Sequence, residues 1–272
     1  VSTMPSNGAR TMGIVYINME DIMKTDLQLI EKRHPLVHNI TNYVAMNLVA
    51  NSLLAIGASP IMARSPKEVE EIALGCDALA LNLGTLEEDS LKAMILAGKT
   101  ACLHHKPIVF DPVGVGATAF RRKAADLIIN QCHPTVIKGN AAEIKALYTH
   151  QIGNAFIDSS VETLEVESIA KQLANNLNCV IVVSGPKDII TDGTQTAYVT
   201  EGHPLMARVT AMGCTATGII GAFLAINPNS YDSALHAMQA MGLAGKRAGA
   251  ISRGNGSMMI NFLDELSNLQ NG

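Results

Sequence analysis

The sequence predicts an α/β fold, with a mostly parallel sheet covered by helices on both faces. Short β-branched or apolar runs end in Gly, Pro, Asn or Asp, and longer segments with helical spacing lie between most of these runs. Strands that alternate with helices in this way form βαβ units. The run from Cys179 to Val183 is apolar throughout, which is typical of a central strand that is buried on both faces.

The predicted strands and helices follow one another in a regular order. The strands are residues 60–63, 78–83, 107–111, 135–138, 180–184, 189–191 and 196–200. The helices are residues 42–56, 66–74, 86–104, 119–131, 141–150 and 166–177, and the chain after residue 213 is expected to be helical as far as residue 269. Asp192-Gly193 lies between the last two strands and is a hairpin signal, so these strands should form an antiparallel pair at one edge of the sheet.

Length and composition limit the classes of protein to which the chain can belong. The 272 residues fit one domain, predicted to span residues 1–272 with residues 1–13 as a loose N-terminal extension. The net charge of −4 provides no basic surface for nucleic acid. Charged residues make up 16% of the chain and hydrophobic residues 48%, so either subunit contacts or one large core should hide apolar surface.

The cysteines and the apolar segments favour a cytoplasmic protein. The five cysteines are odd in number, widely spaced and without a CxxC pair, so neither a disulfide framework nor a zinc site is expected. The sequence does not open with the charged and apolar segments of a signal peptide. The longest apolar stretch, residues 213–226, is too short and too rich in glycine to span a bilayer, so no membrane partner is expected.

The most informative stretch is residues 210–218, TAMGCTATG, where small residues predict a tight turn that opens into a buried helix. Gly213 permits close approach of the backbone to a ligand, and the N–H groups of a first helical turn favour an anion. Cys214 places an ionisable thiol at the same point, a combination that suits phosphoryl transfer. In the alternative interpretation, Gly213 and Gly218 only permit close helix packing, and Cys214 is a small buried side chain.

A second glycine-containing loop follows the predicted strand that ends at Asp111. Gly114, Gly116 and Ala119 formally match a dinucleotide-binding pattern, but the acidic residue expected about 20 positions later is missing. We therefore interpret Asp111 as a metal ligand that precedes a flexible phosphate-side loop; alternatively, it only caps a turn. Arg121 follows the loop and can pair with phosphate oxygens, or it simply begins a solvated helix.

Polar and glycine residues cluster at the ends of several predicted strands. They occupy residues 82–84, 111–114, 138–140 and 184–186. Ligands of open α/β sheets bind beyond the carboxyl ends of the strands, so these clusters indicate one shared site. Asn140 and Glu143 have the spacing of a helix capping box, and in a kinase the same Glu143 could also hold Mg²⁺ through water.

Five segments, taken in order, resemble the hydroxyethylthiazole kinase family. They are residues 38–47 (HNITNYVAMN), 80–86 (ALNLGTL), 111–118 (DPVGVGAT), 136–143 (VIKGNAAE) and 209–214 (VTAMGC). The wider ribokinase-like superfamily shares the Asn-x-x-Glu element and the glycine-rich turn, but most of its members have Asp at the position of Cys214. The thiol and the segment TNYVAMN make the thiazole kinase family the closer match.

The resemblance implies a fold, an activity and an assembly. The fold is a three-layer α/β/α ribokinase-like domain with a mostly parallel central sheet, and the assembly is a homotrimer with active sites between subunits. The activity transfers the γ-phosphoryl group of MgATP to the primary alcohol of 4-methyl-5-(2-hydroxyethyl)thiazole, an ATP-dependent phosphotransferase reaction of thiamine biosynthesis or salvage.

The resemblance also implies roles for individual residues. Family members commonly have Gly at the position of Ala211, whose N–H can still contact substrate if φ is negative. The start of a helix is expected to lower the pKa of the Cys214 thiol, which makes it a candidate base. The implied assignments are Met46 and Ala211 for the substrate, Arg121, Ser184 and Gly213 for ATP, Asp111 and Glu143 for Mg²⁺, and Cys214 for catalysis. On residue type alone, Met46 would be a core filler.

Other functions are compatible with the same residues. Another small-alcohol kinase of the superfamily, such as a hydroxymethylpyrimidine kinase, would keep the fold and the ATP site and change only the acceptor. A non-catalytic nucleotide-binding module would bind ATP without turnover. A dehydrogenase would instead bind NAD.

Overall fold

An eight-stranded sheet forms the middle layer of the structure, a computed structural model that describes residues 19–150 and 163–269. The extension predicted at residues 1–13 lies outside the described residues. The strands are β1 Leu36–Ile40, β2 Ser59–Ile61, β3 Ala78–Asn82, β4 Ile108–Asp111, β5 Val136–Asn140, β6 Val180–Ser184, β7 Asp188–Thr191 and β8 Thr196–Val199. Their order across the sheet is β2-β1-β3-β4-β5-β6-β7-β8.

Ten α-helices cover the two faces of the sheet within the described ranges. They are α1 Met19–Arg33, α2 Met46–Ala55, α3 Val69–Gly75, α4 Glu88–Leu103, α5 Ala119–Cys132, α6 Ala141–Thr149, α7 Thr163–Leu177, α8 Met212–Ile226, α9 Ser230–Ile251 and α10 Asn255–Asn268, with a 3₁₀ helix at Pro204–Arg208. Among these helices, none has both the length and the apolar character that crossing a bilayer requires.

Side chains of successive strand residues enter two separate cores, one on each face of the sheet. On β6, Val180 and Val182 pack in the core that contains α1, α2, α8, α9 and α10. Ile181 and Val183, which alternate with them, pack in the core that contains α3, α4, α5, α6 and α7. This alternation follows from the two-residue period of a strand, and it confirms the predicted three-layer α/β/α fold.

The pairing of the strands agrees with the predicted mostly parallel sheet. Along the sheet order β2-β1-β3-β4-β5-β6, each strand is parallel to its neighbour, whereas the pairs β6–β7 and β7–β8 are antiparallel. The hairpin predicted at Asp192-Gly193 is therefore confirmed at the β7–β8 edge. The Asp192 carboxylate accepts the backbone N–H groups of Thr194 and Gln195, at 2.8 and 2.9 Å, which stabilises the turn.

Two elements, β1 and α1, are absent from the sequence prediction. β1 lies inside the sheet between β2 and β3, although His38 and Asn39 interrupt its apolar pattern. Both polar side chains bond to backbone carbonyl groups, His38 Nε2 to Ala63 at 2.9 Å and Asn39 Nδ2 to Val37 at 2.9 Å, so they can be buried there.

Candidate active site

The carboxyl ends of the parallel strands meet at one edge of the sheet, and the first turns of α8 lie against them. The strand register places Asn82 beside Asp111 and Asn140 beside Ser184. Thr217, on the second turn of α8, donates a 2.8 Å hydrogen bond to Asp111 Oδ2. The polar clusters predicted from the sequence therefore lie along one edge, next to the glycine-rich turn.

A series of side-chain hydrogen bonds runs along this edge. Asn42 Nδ2 donates to Asn82 Oδ1 at 2.9 Å and also reaches Cys214 Sγ at 3.2 Å. Asn82 Nδ2 in turn donates to Asp111 Oδ2 at 2.8 Å. The series fixes the thiol and the carboxylate relative to each other. Gly84 is necessary for it, because a Cβ there would lie only 2.6 Å from Asn42 Nδ2.

Asp111 is a buried carboxylate, only 1% exposed. Its Oδ2 accepts the hydrogen bonds of Asn82 and Thr217 and lies 3.7 Å from Lys138 Nζ. Its Oδ1 has no hydrogen-bond partner among the described residues. Burial raises the pKa of Asp111 to about 6, against the opposing charge of Lys138. A buried carboxylate oxygen without a partner is suited to bind a cation or a water bound to one.

Cys214 is a partly buried free thiol on the first turn of α8. The expectation that the helix start lowers its pKa is wrong. Burial raises the pKa of the Cys214 thiol, and the neighbouring negative charge of Asp111 raises it further. Lys138 and the hydrogen bond from Asn42 act in the opposite direction without outweighing burial. The thiol is therefore neutral at neutral pH.

Glu143 joins the start of α6 to the glycine-containing loop after β4. Its Oε2 accepts the backbone N–H of Asn140 at 2.8 Å, and the Asn140 side chain accepts the N–H of Glu143 at 2.9 Å. These two bonds form the predicted capping box. Its Oε1 also accepts the N–H of Gly114 at 2.9 Å, a contact that a capping box does not require. Glu143 thus holds the loop in place.

Arg121 reaches back over the same loop from the first turn of α5. Its Nη1 donates to the carbonyl oxygens of Leu83 and of Val113, the latter at 2.7 Å. Thr118 caps α5 by accepting the N–H of Arg121. The side chain therefore lies between the β3 and β4 loops. The adjacent Arg122 is structural instead: it is buried, and it pairs with Asp126 at 2.6 Å.

Ser184 ends β6 and completes the edge on the side away from Asn42. Its hydroxyl is 3.4 Å from the carbonyl oxygen of Gly139. The next residue, Gly185, donates its N–H to Asp188 Oδ1 at 2.9 Å, which fixes the turn into β7. The Ser184 hydroxyl is consequently held beside the end of β5, the strand that separates β6 from the strand ending at Asp111.

The start of α8 has an unusual backbone. Ala211, the residue before the helix, has φ 71 and ψ 0, in the left-handed region. A substrate contact from the Ala211 N–H was expected only for a negative φ. The observed conformation does not meet that condition. Gly213 follows in the first turn, where a Cβ would lie 3.0 Å from Lys138 Nζ. Gly218 lies one turn further on, where a Cβ would lie 2.9 Å from Val49 Cγ1, so its role is close packing against α2.

Met46 is the first residue of α2 and is half-buried. Its backbone N–H donates to the carbonyl oxygen of Asn42 at 3.2 Å, which links it to the hydrogen-bonded series. Tyr43 and Val44, between them, are 58% and 60% exposed. The Arg64 guanidinium stacks 4.0 Å from the centre of the Tyr43 ring. Met46 thus adjoins an exposed apolar surface at one end of the site.

The structure connects the predicted site residues through side chains that the sequence prediction did not assign. Asn82 and Thr217 donate hydrogen bonds to Asp111, and Lys138 pairs with its carboxylate. Asn42 donates to Cys214 and to Asn82. The only sequence signal for them is their position near strand ends or beside a glycine. Their partners are far away along the chain, so no local pattern reveals the contacts.

The fold is similar to that of a ribokinase-like superfamily protein from Enterococcus faecalis, with a TM-score of 0.63 over 95% of this chain and 99% of that chain at 14% identity. This likeness concerns the fold alone.

The chain belongs to the hydroxyethylthiazole kinase family, whose sequence profile matches residues 27–272. It is 44% identical over 244 residues to a hydroxyethylthiazole kinase from Desulfotalea psychrophila, covering 90% of this chain and 89% of the relative. It is also similar to the structure of a hydroxyethylthiazole kinase protein from Pyrococcus horikoshii, with a TM-score of 0.84 and 36% identity over 91% of this chain and 93% of that chain.

Proposed function

We propose that this family member transfers the γ-phosphoryl group of ATP to the primary alcohol of the hydroxyethyl-substituted thiazole, in a cytoplasmic step of thiamine biosynthesis or salvage. The observation that carries the proposal is the hydrogen-bonded series from Cys214 through Asn42 and Asn82 to Asp111, beside the first turn of α8. It places a thiol, a carboxylate and an anion-binding helix start next to one another.

The nucleotide side of the proposed site is formed by the loop after β4, the end of β6 and the start of α8. Arg121 and Ser184 are ATP contacts in this proposal, and the N–H of Gly213 faces the terminal phosphate. Glu143 and Arg121 hold the loop through Gly114 and Val113, so its backbone is preorganised before a nucleotide binds. Fixed donors of this kind stabilise charge that develops on the transferring oxygens.

The acidic residues fit Mg²⁺ bound together with ATP. Mg²⁺ is usually held by one or two carboxylates together with waters and substrate phosphates. Asp111 Oδ1 is buried without a hydrogen-bond partner, whereas both oxygens of Glu143 already accept N–H groups. Asp111 would therefore hold the ion directly or through one water, and Glu143 through water. When bound, Mg²⁺ would neutralise charge on the phosphates.

Cys214 assists the transfer by accepting a hydrogen bond from the alcohol at its sulfur, which orients the hydroxyl towards the γ-phosphate. In this proposal the new O–P bond forms as the bond between the γ-phosphorus and ADP breaks, and the proton of the hydroxyl passes to an oxygen of the transferred phosphoryl group. Because the thiol is neutral at rest, positioning and charge stabilisation contribute more than proton removal, which is late in a loose transition state. Asn42 keeps the sulfur in place through its 3.2 Å contact.

The acceptor side of the site is assigned to Met46, because the left-handed φ of Ala211 does not meet the condition for a substrate contact from its N–H. Met46 adjoins the exposed Tyr43 and Val44, and large exposed apolar side chains are typical of a surface that another subunit covers. Because the family resemblance implies a homotrimer, we propose that a neighbouring subunit covers this surface and completes the thiazole site. Met46→Ala should raise the KM for the thiazole alcohol and leave the KM for ATP nearly unchanged.

The decisive experiment measures ADP release with a panel of alcohols, including the thiazole alcohol and hydroxymethylpyrimidine. We expect the highest kcat/KM for the thiazole alcohol. Preference for the pyrimidine would replace the proposal by another kinase of the same fold. ATP binding without turnover of any alcohol would indicate a non-catalytic nucleotide-binding module, and NAD binding would indicate a dehydrogenase.

The metal assignment is tested by titrating Mg²⁺ with Asp111→Asn and Glu143→Gln. Each variant should lose most activity at low Mg²⁺ and recover partly as Mg²⁺ rises. Glu165→Gln, which changes a half-exposed carboxylate on α7, is the matched control and should behave like the wild type. If the loss in Glu143→Gln is independent of Mg²⁺ and follows the melting temperature, Glu143 is a capping and loop-holding residue only.

A further inference from the structure

Lys138 is a buried cation that none of the assignments above uses. It lies on β5, and its side chain is only 4% exposed. Its Nζ is 3.7 Å from Asp111 Oδ2, which is longer than a hydrogen bond. On its other side, Nζ faces the first turn of α8, where a Cβ at Gly213 would be only 3.0 Å away. The ammonium group is therefore placed between the carboxylate and the helix start.

The surroundings keep this ammonium group charged. Asp111 Oδ2 lies 3.7 Å from Nζ, and the Lys138 side chain is almost fully buried. The positive charge therefore lies behind the first turn of α8, in surroundings of low dielectric constant where charges act strongly.

A structural ion pair is an insufficient explanation for this arrangement. Replacing both partners of a buried ion pair by apolar side chains is often neutral or stabilising, so the core does not require the pair. Asp111 Oδ2 already accepts two hydrogen bonds, from Asn82 and Thr217, which compensate its burial. The feature that remains unexplained is that Nζ is in close approach to Gly213, at the point where the helix start attracts anions.

We propose that Lys138 is an electrostatic positioning residue for the phosphoryl transfer, whose fixed charge strengthens the attraction of the α8 start for the terminal phosphates of ATP. The inference rests on the proposed function. The helix start alone carries about half an elementary charge, so a full charge directly behind it is a large addition. Lys138 acts through the first turn and does not itself touch the nucleotide.

The test compares the affinities for ATP and AMP in Lys138→Met, a neutral variant of similar length. The affinity for ATP should fall about 10-fold or more, because the attraction of the buried charge for the terminal phosphates is lost, while the affinity for AMP stays unchanged. Lys138→Arg, which restores the charge, should restore the preference for ATP. Lys145→Met changes a partly exposed lysine on α6 that pairs with Glu165, and it is the matched control, which should leave both affinities unchanged.

The outcomes separate this inference from the proposed function. If the wild type does not bind ATP, the proposed function fails. If it binds ATP and Lys138→Met keeps the wild-type ratio of ATP to AMP affinity, or loses both affinities equally, Lys138 has only a structural role. Lys138→Met leaves the buried Asp111 carboxylate without its partner and could prevent folding. In that case the ratio of ATP to AMP affinity is compared between Asp111→Asn and the double variant Lys138→Met/Asp111→Asn, in which neither charge remains. An equal ratio in those two proteins overturns the inference.

Discussion

Ala211 occupies a backbone conformation that favours glycine. Its φ of 71 places the Cβ close to the following carbonyl oxygen, which costs about 1–2 kcal/mol for an L-residue. Ala211→Gly should therefore raise the free energy of unfolding by about 1 kcal/mol, and the melting temperature by about 2–4 °C for a chain of this size. Thermal unfolding followed by circular dichroism measures the change.

The control for this prediction is Ala216→Gly, in the buried interior of α8. There the same substitution should destabilise the protein by about 1 kcal/mol or more, because glycine is a poor helix former and leaves a small cavity. If Ala211→Gly is as destabilising as Ala216→Gly, the left-handed conformation at residue 211 is not strained.

Cys214 is expected to assist catalysis without dominating it. Even a full general base contributes only about 10²–10⁴-fold, so Cys214→Ala should retain activity well above background. Cys214→Asp should also remain active, because a carboxylate can accept a hydrogen bond or the proton from the alcohol. Steady-state kcat measures both, together with melting curves. A folded but inactive Cys214→Ala would contradict this account.

The raised pKa of the thiol adds a pH test for the same residue. The ordinary pKa of 9.0 is already above neutrality, and burial raises it further, so the thiol stays protonated as pH rises through neutrality. Between about pH 6 and about pH 8, wild type and Cys214→Ala should therefore give kcat profiles of the same shape. A rise in this range that disappears in Cys214→Ala would show that a thiolate is the base.

At the scale of elements, the start of α8 can be compared with that of α10, because both helices have Gly as their second residue. A Cβ at Gly213 would meet Lys138, whereas a Cβ at Gly256 would have nothing within 4 Å. Gly213→Ala should lower kcat/KM for ATP about 10- to 100-fold through misplacement of the helix start, and Gly213→Val should lower it more. Gly256→Ala should be fully active in the same coupled assay.

A normal kcat/KM in folded Gly213→Val would show that this turn is not the phosphate site. Equal losses in Gly213→Ala and Gly256→Ala would instead indicate a general effect of glycine replacement at helix starts. The melting temperatures of the variants distinguish loss of folding from loss of the site.

The sequence predicts most of the elements from local patterns, and it misses β1 and α1 for different reasons. The seven predicted strands, β2 to β8, are bounded by clear turn residues, as at Asp192-Gly193, and local patterns of that kind are sufficient to locate them. β1 is different because His38 and Asn39 break its apolar run, and their burial depends on carbonyl groups at residues 63 and 37. α1 was detectable, since Met23, Leu27 and Ile30 are buried at helical spacing.

The site shows the same division between local and distant information. The turn at Gly213 and the capping box at Glu143 are local features, and the sequence predicts both. The burial of Lys138, the partnerless oxygen of Asp111 and the raised pKa of Cys214 arise from contacts between distant segments. Local reasoning about the helix start consequently gave the wrong direction for the thiol pKa.

At the scale of the whole molecule, the exposed apolar surface at the start of α2 is expected to be a subunit contact. Val44→Glu should lower the mass measured by light scattering and raise the KM for the thiazole alcohol, because burying a charge in an interface is unfavourable. Leu103→Glu, at a residue 75% exposed at the end of α4, should leave both unchanged. A wild-type protein that is a fully active monomer would exclude the proposed trimer.

The hydrogen-bonded series beside α8 joins residues that the ribosome synthesises at very different times. Asn42 is separated by 40 residues from Asn82 and by 172 from Cys214, and Asp111 by 106 from Thr217. A nascent chain can therefore assemble the series only after nearly all of the sequence has emerged. Contacts of such long range also form slowly during refolding. Enzyme activity should thus report completion of the fold, and unfinished chains should transfer no phosphoryl group to the alcohol.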